Sequence, residues 1–355
     1  MSPPDHHRPG GGFRMPWLEE PYPPGFGSML RWSWQRLRDP PPANPSPGDI
    51  PVESPDPARP TAEDGEIRVT WIGHATFLVQ MGAFTLLTDP VFSTRVSPIS
   101  WVGPRRLLPP ALEVDALPEV HAVLLSHGHY DHLDRPSVAA LRERFGEGLE
   151  WIAPLGYRGW FGGLGIRRVT ELDWWEDARV DHPRGGILRV TAHPAQHWTR
   201  RALRTNQRLW ASFSLEVAGA PRVYFGGDSG YFDGYRDIGE RAGPFDVLLL
   251  PIGAYEPRWF MKSSHMNPED AVRAYGDLGG RGLFVGMHWA TFRLTDEHPL
   301  EPPERVRAAW ARAGYPREDL RLPGVGGTVR LRRSEDEPGV PTGGPGNPGR
   351  PPGAS

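Results

Sequence analysis

The sequence predicts an α/β fold of two mixed β-sheets packed face to face, with helices outside. Three observations predict it. Strand-like segments come first, then a helix and a strand, then a second block of strands, then helix and strand in alternation. Many of these segments are short, apolar and bounded by turn residues, as buried strands are. Five of them end in turns carrying His or Asp, so a rigid scaffold would collect metal-competent residues in its loops.

Taken in order, residues 1–12 (MSPPDHHRPGGG) read as a disordered tail, with His6 and His7 in it. Residues 13–38 are rich in aromatic side chains, and 28–38 fit a short helix with Arg31, Arg36 and Arg38 beside apolar residues. Two readings of 13–38 stand side by side. One is an interfacial anchor, with aromatics at the headgroup level and arginines facing anionic lipid. The other is a segment packed on the domain or on a second subunit, as in a homodimer. Residues 39–66 are Pro-rich and read as an extended linker.

The compact domain is placed at 67–333. Strands are expected at 67–72, 75–80 and 84–88, joined by tight turns, and a long loop at 91–110 follows. A buried strand at 120–125 leads to a helix at 136–145 with Pro at its start. Then come a strand at 150–153, a short helix at 155–161, and strands at 167–170, 178–181, 187–192, 209–218, 222–225 and 245–251. Asn267 opens a helix at 268–278, a strand covers 282–285, and a helix covers 302–313. Strands at 320–322 and 328–331 finish the sheets, and 334–355 reads as a disordered Gly/Pro-rich tail.

Composition narrows the function. The net charge of -3 gives no global electrostatic case for a nucleic-acid partner. The chain has no cysteine, so any metal must be held by His, Asp or Glu. Neither a secretory signal nor a run of about 18 apolar residues is present, so the expected location is cytoplasmic or peripheral to a membrane.

The chemistry concentrates in SHGHYDHLD at 126–134, where three histidines and two aspartates lie within nine residues. Imidazole and carboxylate together suit zinc and other late first-row metals. The turn is too short to aim four ligands at one ion, so two adjacent metals are the natural reading. Further candidates follow other strands: Asp89, His197, Asp228 between glycines, and His288.

The order of H-x-H-x-D-H, a lone His, a Gly-flanked Asp and a final His resembles the metallo-β-lactamase superfamily. Within it the chain is similar to the N-acylphosphatidylethanolamine-hydrolysing phospholipase D family. The segments that carry this are WIGHATFLVQ at 71–80, LTDPVFSTRVSP at 87–98, SHGHYDHLD, PAQHWTRR at 194–201, GGDSGYF at 226–232, PIGAYEPRWFM at 251–261 and MHWATFRLTDEHPLEPP at 287–303. The His turn marks only the superfamily; the last two segments are more specific.

The resemblance implies an αββα sandwich and a binuclear zinc site. His127, His129 and His197 would hold one Zn2+; Asp131, His132 and His288 the other; Asp228 would bridge them. It implies a phosphodiesterase of phospholipase D type. Hydroxide would attack phosphorus in N-acylphosphatidylethanolamine or a related phospholipid, giving phosphatidic acid and an N-acylethanolamine. Asp131 and Asp228 would serve catalysis from the metal site, and His265 would contact the phosphate or assist the leaving group. The alternative is a hydrolase of the same fold acting on a lactone, an amide or a soluble phosphodiester. A non-catalytic metal-binding module and an iron-dependent redox relative are further readings.

Other residues are weighed against these. Asp89 is read as orienting a ligand imidazole, against a plain turn cap. Asp134 is read as a helix cap or a partner of a ligand. His74 is read as packed and hydrogen-bonded, His193 as a poor second to His197, His298 as structural, and His121 and His182 as bland. Tryptophans such as Trp160, Trp174, Trp175, Trp198, Trp259 and Trp289 are divided between core and an acyl-chain groove without a way to choose.

Overall fold

The computed structural model describes residues 5–18, 25–56, 62, 65–99, 101–201 and 204–332. Helix α1 (Phe26–Arg38) comes first. Strands β1 (Glu66–Gly73), β2 (Thr76–Met81) and β3 (Phe84–Thr88) form a meander, and β4 (Ala122–Leu124) follows the long loop. Next are α2 (Arg135–Phe145), β5 (Glu150–Pro154), α3 (Arg158–Gly162) and β6 (Val169–Leu172). The second half holds β7 (Asp177–Asp181), β8 (Ile187–His193), β9 (Ser212–Val217), β10 (Val223–Phe225), α4 (Gly234–Ala242) and β11 (Val247–Pro251). It closes with α5 (Arg258–Met261), α6 (Pro268–Asp277), β12 (Leu283–Met287), α7 (Glu301–Ala313), β13 (Leu320–Arg321) and β14 (Thr328–Arg332).

The strands form two seven-stranded sheets, ordered β14-β1-β2-β3-β4-β5-β6 and β13-β12-β11-β10-β9-β8-β7. β1, β2 and β3 pair antiparallel, while β3 to β6 run parallel. In the other sheet β8, β9 and β10 pair antiparallel and β10 to β13 run parallel. Two antiparallel steps restore direction, so β1 runs with β3 and β4, and β8 runs with β10 and β12. The C-terminal ends of the strands that precede the candidate residues therefore lie at one edge of each sheet. That places the site.

The inner faces of the sheets meet in one apolar core containing Trp71, Phe77, Trp210, Phe213 and Tyr224. Burial of each such side chain contributes on the order of 1.5–3 kcal/mol. A second cluster, with Ile72, Leu87, Leu125, Leu141, Trp151 and Phe161, joins the outer face of the first sheet to α2 and α3. On the other side Trp310 of α7 packs against Tyr275 of α6 and Phe284 of β12. The order is helix, sheet, sheet, helix, the αββα sandwich expected.

Residues 5–12 depart from the disordered tail that their composition suggests. His6 is buried, and its Nε2 lies 2.6 Å from Asp173 Oδ1; His7 Nε2 lies 2.8 Å from Asp173 Oδ2. Phe13 and Met15 are buried, and Trp17 stacks between Trp174 and Phe232. These partners are remote in sequence, so local composition carries no sign of them. The linker is also partly docked: Ile50 is buried, Val52 bridges Val325, and the Glu53 amide donates to the Val325 carbonyl. The expected tail at 334–355 lies outside the described residues, as do 1–4, 57–61 and 63–64.

Helix α1 settles on the domain by one side. Trp32 Nε1 donates to Asp296 Oδ2 at 2.5 Å and its ring lies 5.0 Å from that of Phe260. Arg36 pairs with Asp296 at 2.9 Å. Met29, Leu30, Trp34 and Leu37 remain exposed.

Helix α4 is absent from the sequence reading, because Gly234 and Gly239 lower the helical signal of GYRDIGERA. Tertiary packing overrides propensity: Tyr235 and Ile238 are buried, and Gly239 lies against the end of α6. A Cβ on Gly239 would meet the Asp277 carbonyl oxygen at 2.4 Å. Gly239→Ala is therefore expected to destabilise the protein by about 1–3 kcal/mol. Helix propensity alone predicts a gain of about 1 kcal/mol. Urea denaturation of the two proteins reads the sign, and a stabilised variant counts against this packing.

Candidate metal centre

The strand ends bring together all seven residues that the resemblance implied as ligands, in two adjacent clusters. In the first, His127 Nε2 lies 2.9 Å and His197 Nε2 3.1 Å from His129 Nδ1. In the second, Asp131 Oδ2 lies 3.4 Å from His132 Nε2 and 3.6 Å from His288 Nε2. Asp228 stands between the clusters. Its Oδ2 is 3.0 Å from His132 Nε2, 3.8 Å from His127 Nε2 and 3.9 Å from His197 Nε2, and its Oδ1 is 3.1 Å from His288 Nε2.

The loops that carry these side chains need their glycines. Gly227 has φ +56°, and a Cβ there would lie 2.7 Å from the Ser126 Cβ. A Cβ on Gly128 would meet the Thr199 hydroxyl at 2.8 Å and the Tyr157 hydroxyl at 2.9 Å. Three non-glycine residues at the site also take left-handed backbone: His74 at φ 57°, Asp89 at 34° and His288 at 64°. Such conformations cost free energy and persist where the surroundings dictate them.

Hydrogen bonds to the far ring nitrogens fix the tautomers. The Asp89 carboxylate is fully buried and accepts from the Ser126 amide at 2.7 Å, the Ser126 hydroxyl at 2.5 Å and His132 Nδ1 at 2.7 Å. With its proton on Asp89, the Ser126 oxygen is free to accept from His127 Nδ1 at 2.9 Å. His197 Nδ1 donates to the Ser264 carbonyl at 2.9 Å. One carboxylate thus turns the Nε2 lone pairs of both His127 and His132 into the site. Asp89 takes the orienting role; Asp134 caps α2 instead, accepting from the Ser137 amide.

The donor set fits metal ions. His127 and His197 both aim an Nε2 lone pair at His129 Nδ1, and a single N–H there cannot serve both in full. Three imidazole nitrogens around zinc at 2.0–2.1 Å would stand about 3.3 Å apart, close to what is seen. In the second cluster His132 Nε2, His288 Nε2 and Asp228 Oδ1 are buried without a well-directed hydrogen bond.

Electrostatics say the same. Burial pushes Asp228 and Asp131 up, but the imidazoles around them overcome it and hold both well below the usual carboxylate range. Burial works against charge on His132 and His288, yet the carboxylates raise His132 well above its ordinary value and His288 to about 9. Burial first, then neighbouring imidazoles, keeps His127 well below its ordinary value. Burial takes His129 to about 4 and His197 to about 3, against the pull of nearby carboxylates. Burial also raises Asp89, opposed by His132 and Ser126. Neutral imidazoles on one side and carboxylates demanding positive charge on the other are what divalent ions satisfy.

Several residues enter that sequence reasoning underrated or missed. His74 is packed and hydrogen-bonded as expected, but at the site itself: its Nε2 lies 3.0 Å from Asp131 Oδ2 and its ring 3.9 Å from that of His288. Its place in a strand-end turn, like that of Asp89, was the available signal. His265 Nδ1 lies 4.0 Å from Asp228 Oδ2, and its ring 5.1 Å from that of His197. Arg258 holds it there, donating to the His265 carbonyl at 2.8 Å and to Asp270 at 2.6 Å. Glu297 accepts from the Ala254 amide at 2.6 Å and the Glu256 amide at 3.1 Å, so segments 251–261 and 287–303 lock together. His193 bonds Ser214, His298 caps a turn by accepting from the Leu300 amide, and His121 meets His182. Trp198 packs edge-on to His129, while Trp174 and Trp289 are buried and Trp259 is exposed.

A model of the beta-lactamase superfamily domain matches residues 85–289. The chain belongs to the metallo-β-lactamase superfamily. An uncharacterized protein of Mycobacterium tuberculosis is 44% identical over 266 residues, 73% of this chain and 68% of that one. N-acyl-phosphatidylethanolamine-hydrolyzing phospholipase D 1 of Caenorhabditis elegans is 39% identical over 246 residues, 67% of this chain and 68% of the relative. Within the superfamily the chain belongs to the family of this phospholipase D. The structure is also similar to that of a metallo hydrolase from Ignicoccus hospitalis, with a TM-score of 0.56 over 76% of this chain and 100% of that one. At 20% identity that likeness speaks for the fold alone. The protein is a metal-dependent hydrolase of the metallo-β-lactamase fold.

Asp89→Asn replaces an acceptor-only group by one that presents N–H to a donor. We expect metal affinity, measured by competition with a chromogenic chelator, to fall about 10–100-fold. An unchanged affinity would show that Asp89 does not orient the ligands.

Proposed function

We propose that the protein is a zinc-dependent phosphodiesterase of phospholipase D type. It hydrolyses N-acylphosphatidylethanolamine or a related phospholipid to phosphatidic acid and an N-acylethanolamine. The observation that carries this is Asp228 standing between two metal-competent clusters, with His265 on the same carboxylate's flank. The relative in Caenorhabditis elegans, a phospholipase D by name, supports the substrate class.

His127, His129 and His197 would hold one ion, Asp131, His132 and His288 the other, and Asp228 would touch both. When bound, such ions lower the pKa of a water and put positive charge against phosphoryl oxygens. The protein does the rest. Asp89 and Ser126 keep the imidazole lone pairs pointed inward. His74 steadies Asp131. Burial pushes His265 down to about 3, so it is neutral near pH 7 and acts as a hydrogen-bonding group toward the phosphate or the leaving oxygen. The bond broken is that between phosphorus and the ethanolamine oxygen. Water gives its hydroxyl to phosphorus and its proton to the departing alcohol.

Helix α1 supports the reading that the protein binds at a membrane surface. Its exposed Met29, Leu30, Trp34 and Leu37 lie beside the exposed Arg31 and Arg38, a pairing suited to an anionic bilayer surface. Exposed Trp259 adjoins it, with Arg31 over its ring at 4.4 Å. Among the described residues no helix is long and apolar enough to cross a membrane, so contact would be peripheral.

Zinc-loaded protein incubated with phospholipid vesicles should release both products, and absence of turnover with lipid but rapid turnover of a soluble phosphodiester or a lactone would overturn the substrate. His265→Gln should lower kcat about 10²–10⁴-fold while bound metal stays unchanged, which separates its role from that of a ligand. Trp34→Ser with Leu37→Ser should weaken binding to anionic vesicles by about tenfold or more, since each buried side chain contributes about 1.5–3 kcal/mol. Turnover of a soluble phosphodiester should be unaffected by that pair.

A further inference from the structure

Outside the metal centre, one more set of metal-competent side chains meets in space among the described residues. His6 and His7 come from an N-terminal strap, residues 5–18, and Asp173 from the turn after β6. His6 Nε2 lies 2.6 Å from one oxygen of the carboxylate and His7 Nε2 2.8 Å from the other. The side chains of His6 and Asp173 are 8% and 15% exposed, and that of His7 is 29% exposed. The group is thus sheltered but open on one side. The Trp174 amide donates to the Asp173 carboxylate at 2.8 Å. The His6 ring stacks on the Trp174 indole at 4.2 Å, which fixes its plane.

We propose that His6, His7 and Asp173 form a separate site for one late first-row divalent cation, with zinc the first choice, whose role is to fasten the strap to the catalytic domain. Two imidazoles and a carboxylate suit such an ion, and water would complete its coordination. The donor spacing of 2.6 to 2.8 Å is a little tighter than the 2.9 to 3.1 Å in the His127, His129 and His197 cluster. Both fall short of the roughly 3.3 Å expected around a tetrahedral zinc. The strap need move only by about half an ångström, and His7 lies at the surface where it can. An open groove of about 790 Å³, lined in part by Asp5, His6, Trp17 and Trp174, borders His6.

The ion would be structural. The strap touches two of the loops that serve the main centre. The Phe13 amide donates to the Asn206 carbonyl at 2.7 Å, and Asn206 Oδ1 accepts from the Thr199 amide, two residues past His197. Trp17 stacks on Phe232, four residues past Asp228, at 4.7 Å. Fastening the strap therefore stiffens the two loops from outside.

The test is elemental analysis of the full chain after zinc loading and gel filtration, beside the variant His6→Gln with His7→Gln. Glutamine can still donate a hydrogen bond to Asp173 but offers no imidazole. The wild type is expected to hold one ion more per chain than the variant, whatever the content of the main centre. Zinc should also slow proteolytic cleavage within the strap of the wild type and not of the variant. Equal metal contents overturn the site. A loss of more than one ion overturns it too, because the strap would then act on the main centre through packing alone.

Discussion

Two carboxylates, the buried Asp228 and the largely sheltered Asp131, ringed by imidazoles, set the terms for the whole molecule. Charge buried this deeply must be matched by opposite charge or by fixed donors. Without an ion, the carboxylates favour protons on His132 and His288, raising the first well above its ordinary value and the second to about 9 against the cost of burial. Were an ion bound, those protons would leave and the same atoms would serve as its ligands. The surroundings are built to tolerate this exchange: Asp89 and Ser126 keep the far ring nitrogens occupied in either case.

The two sheets make the arrangement affordable in geometry. Each donor sits just past the end of a strand, and those ends lie at one edge because the intervening antiparallel pairs come in twos. Left-handed backbone at His74, Asp89 and His288 then turns the side chains inward. Segments 251–261 and 287–303 have a different task. They supply few metal donors, but Glu297 ties their backbones together and Arg258 clamps the His265 carbonyl. This gives a physical reason for the two segments to occur together: one holds the other in the place from which His265 reaches Asp228.

Much of this was legible in the chain. The alternation and length of the apolar segments located every strand to within a few residues, because a half-buried or buried strand constrains its own sequence. Metal-competent residues stood out because His and Asp follow strands, and the family resemblance then implied which seven of them serve as ligands. What failed to show was whatever depends on a distant partner. Helix α4 carries two glycines that lower its signal, and it forms because Gly239 fits against the end of α6. Residues 5–12 read as a tail because nothing local reveals that Asp173, 167 residues from His6, awaits them.

By itself the sequence determined the fold class, the strand order along the chain and the set of side chains able to hold metal. Periodicity and turn chemistry are local properties, and they survive in one dimension. The resemblance implied two ligand groups with Asp228 between them; only the tertiary structure showed those side chains within 3 to 4 Å of one another, that Asp89 and Ser126 together steer two of the imidazoles, and that His74 belongs to the site. It also decided that His6 and His7 both meet the Asp173 carboxylate. Distances of 3 to 4 Å between residues far apart in the chain arise from sheet pairing and packing, which local pattern does not encode.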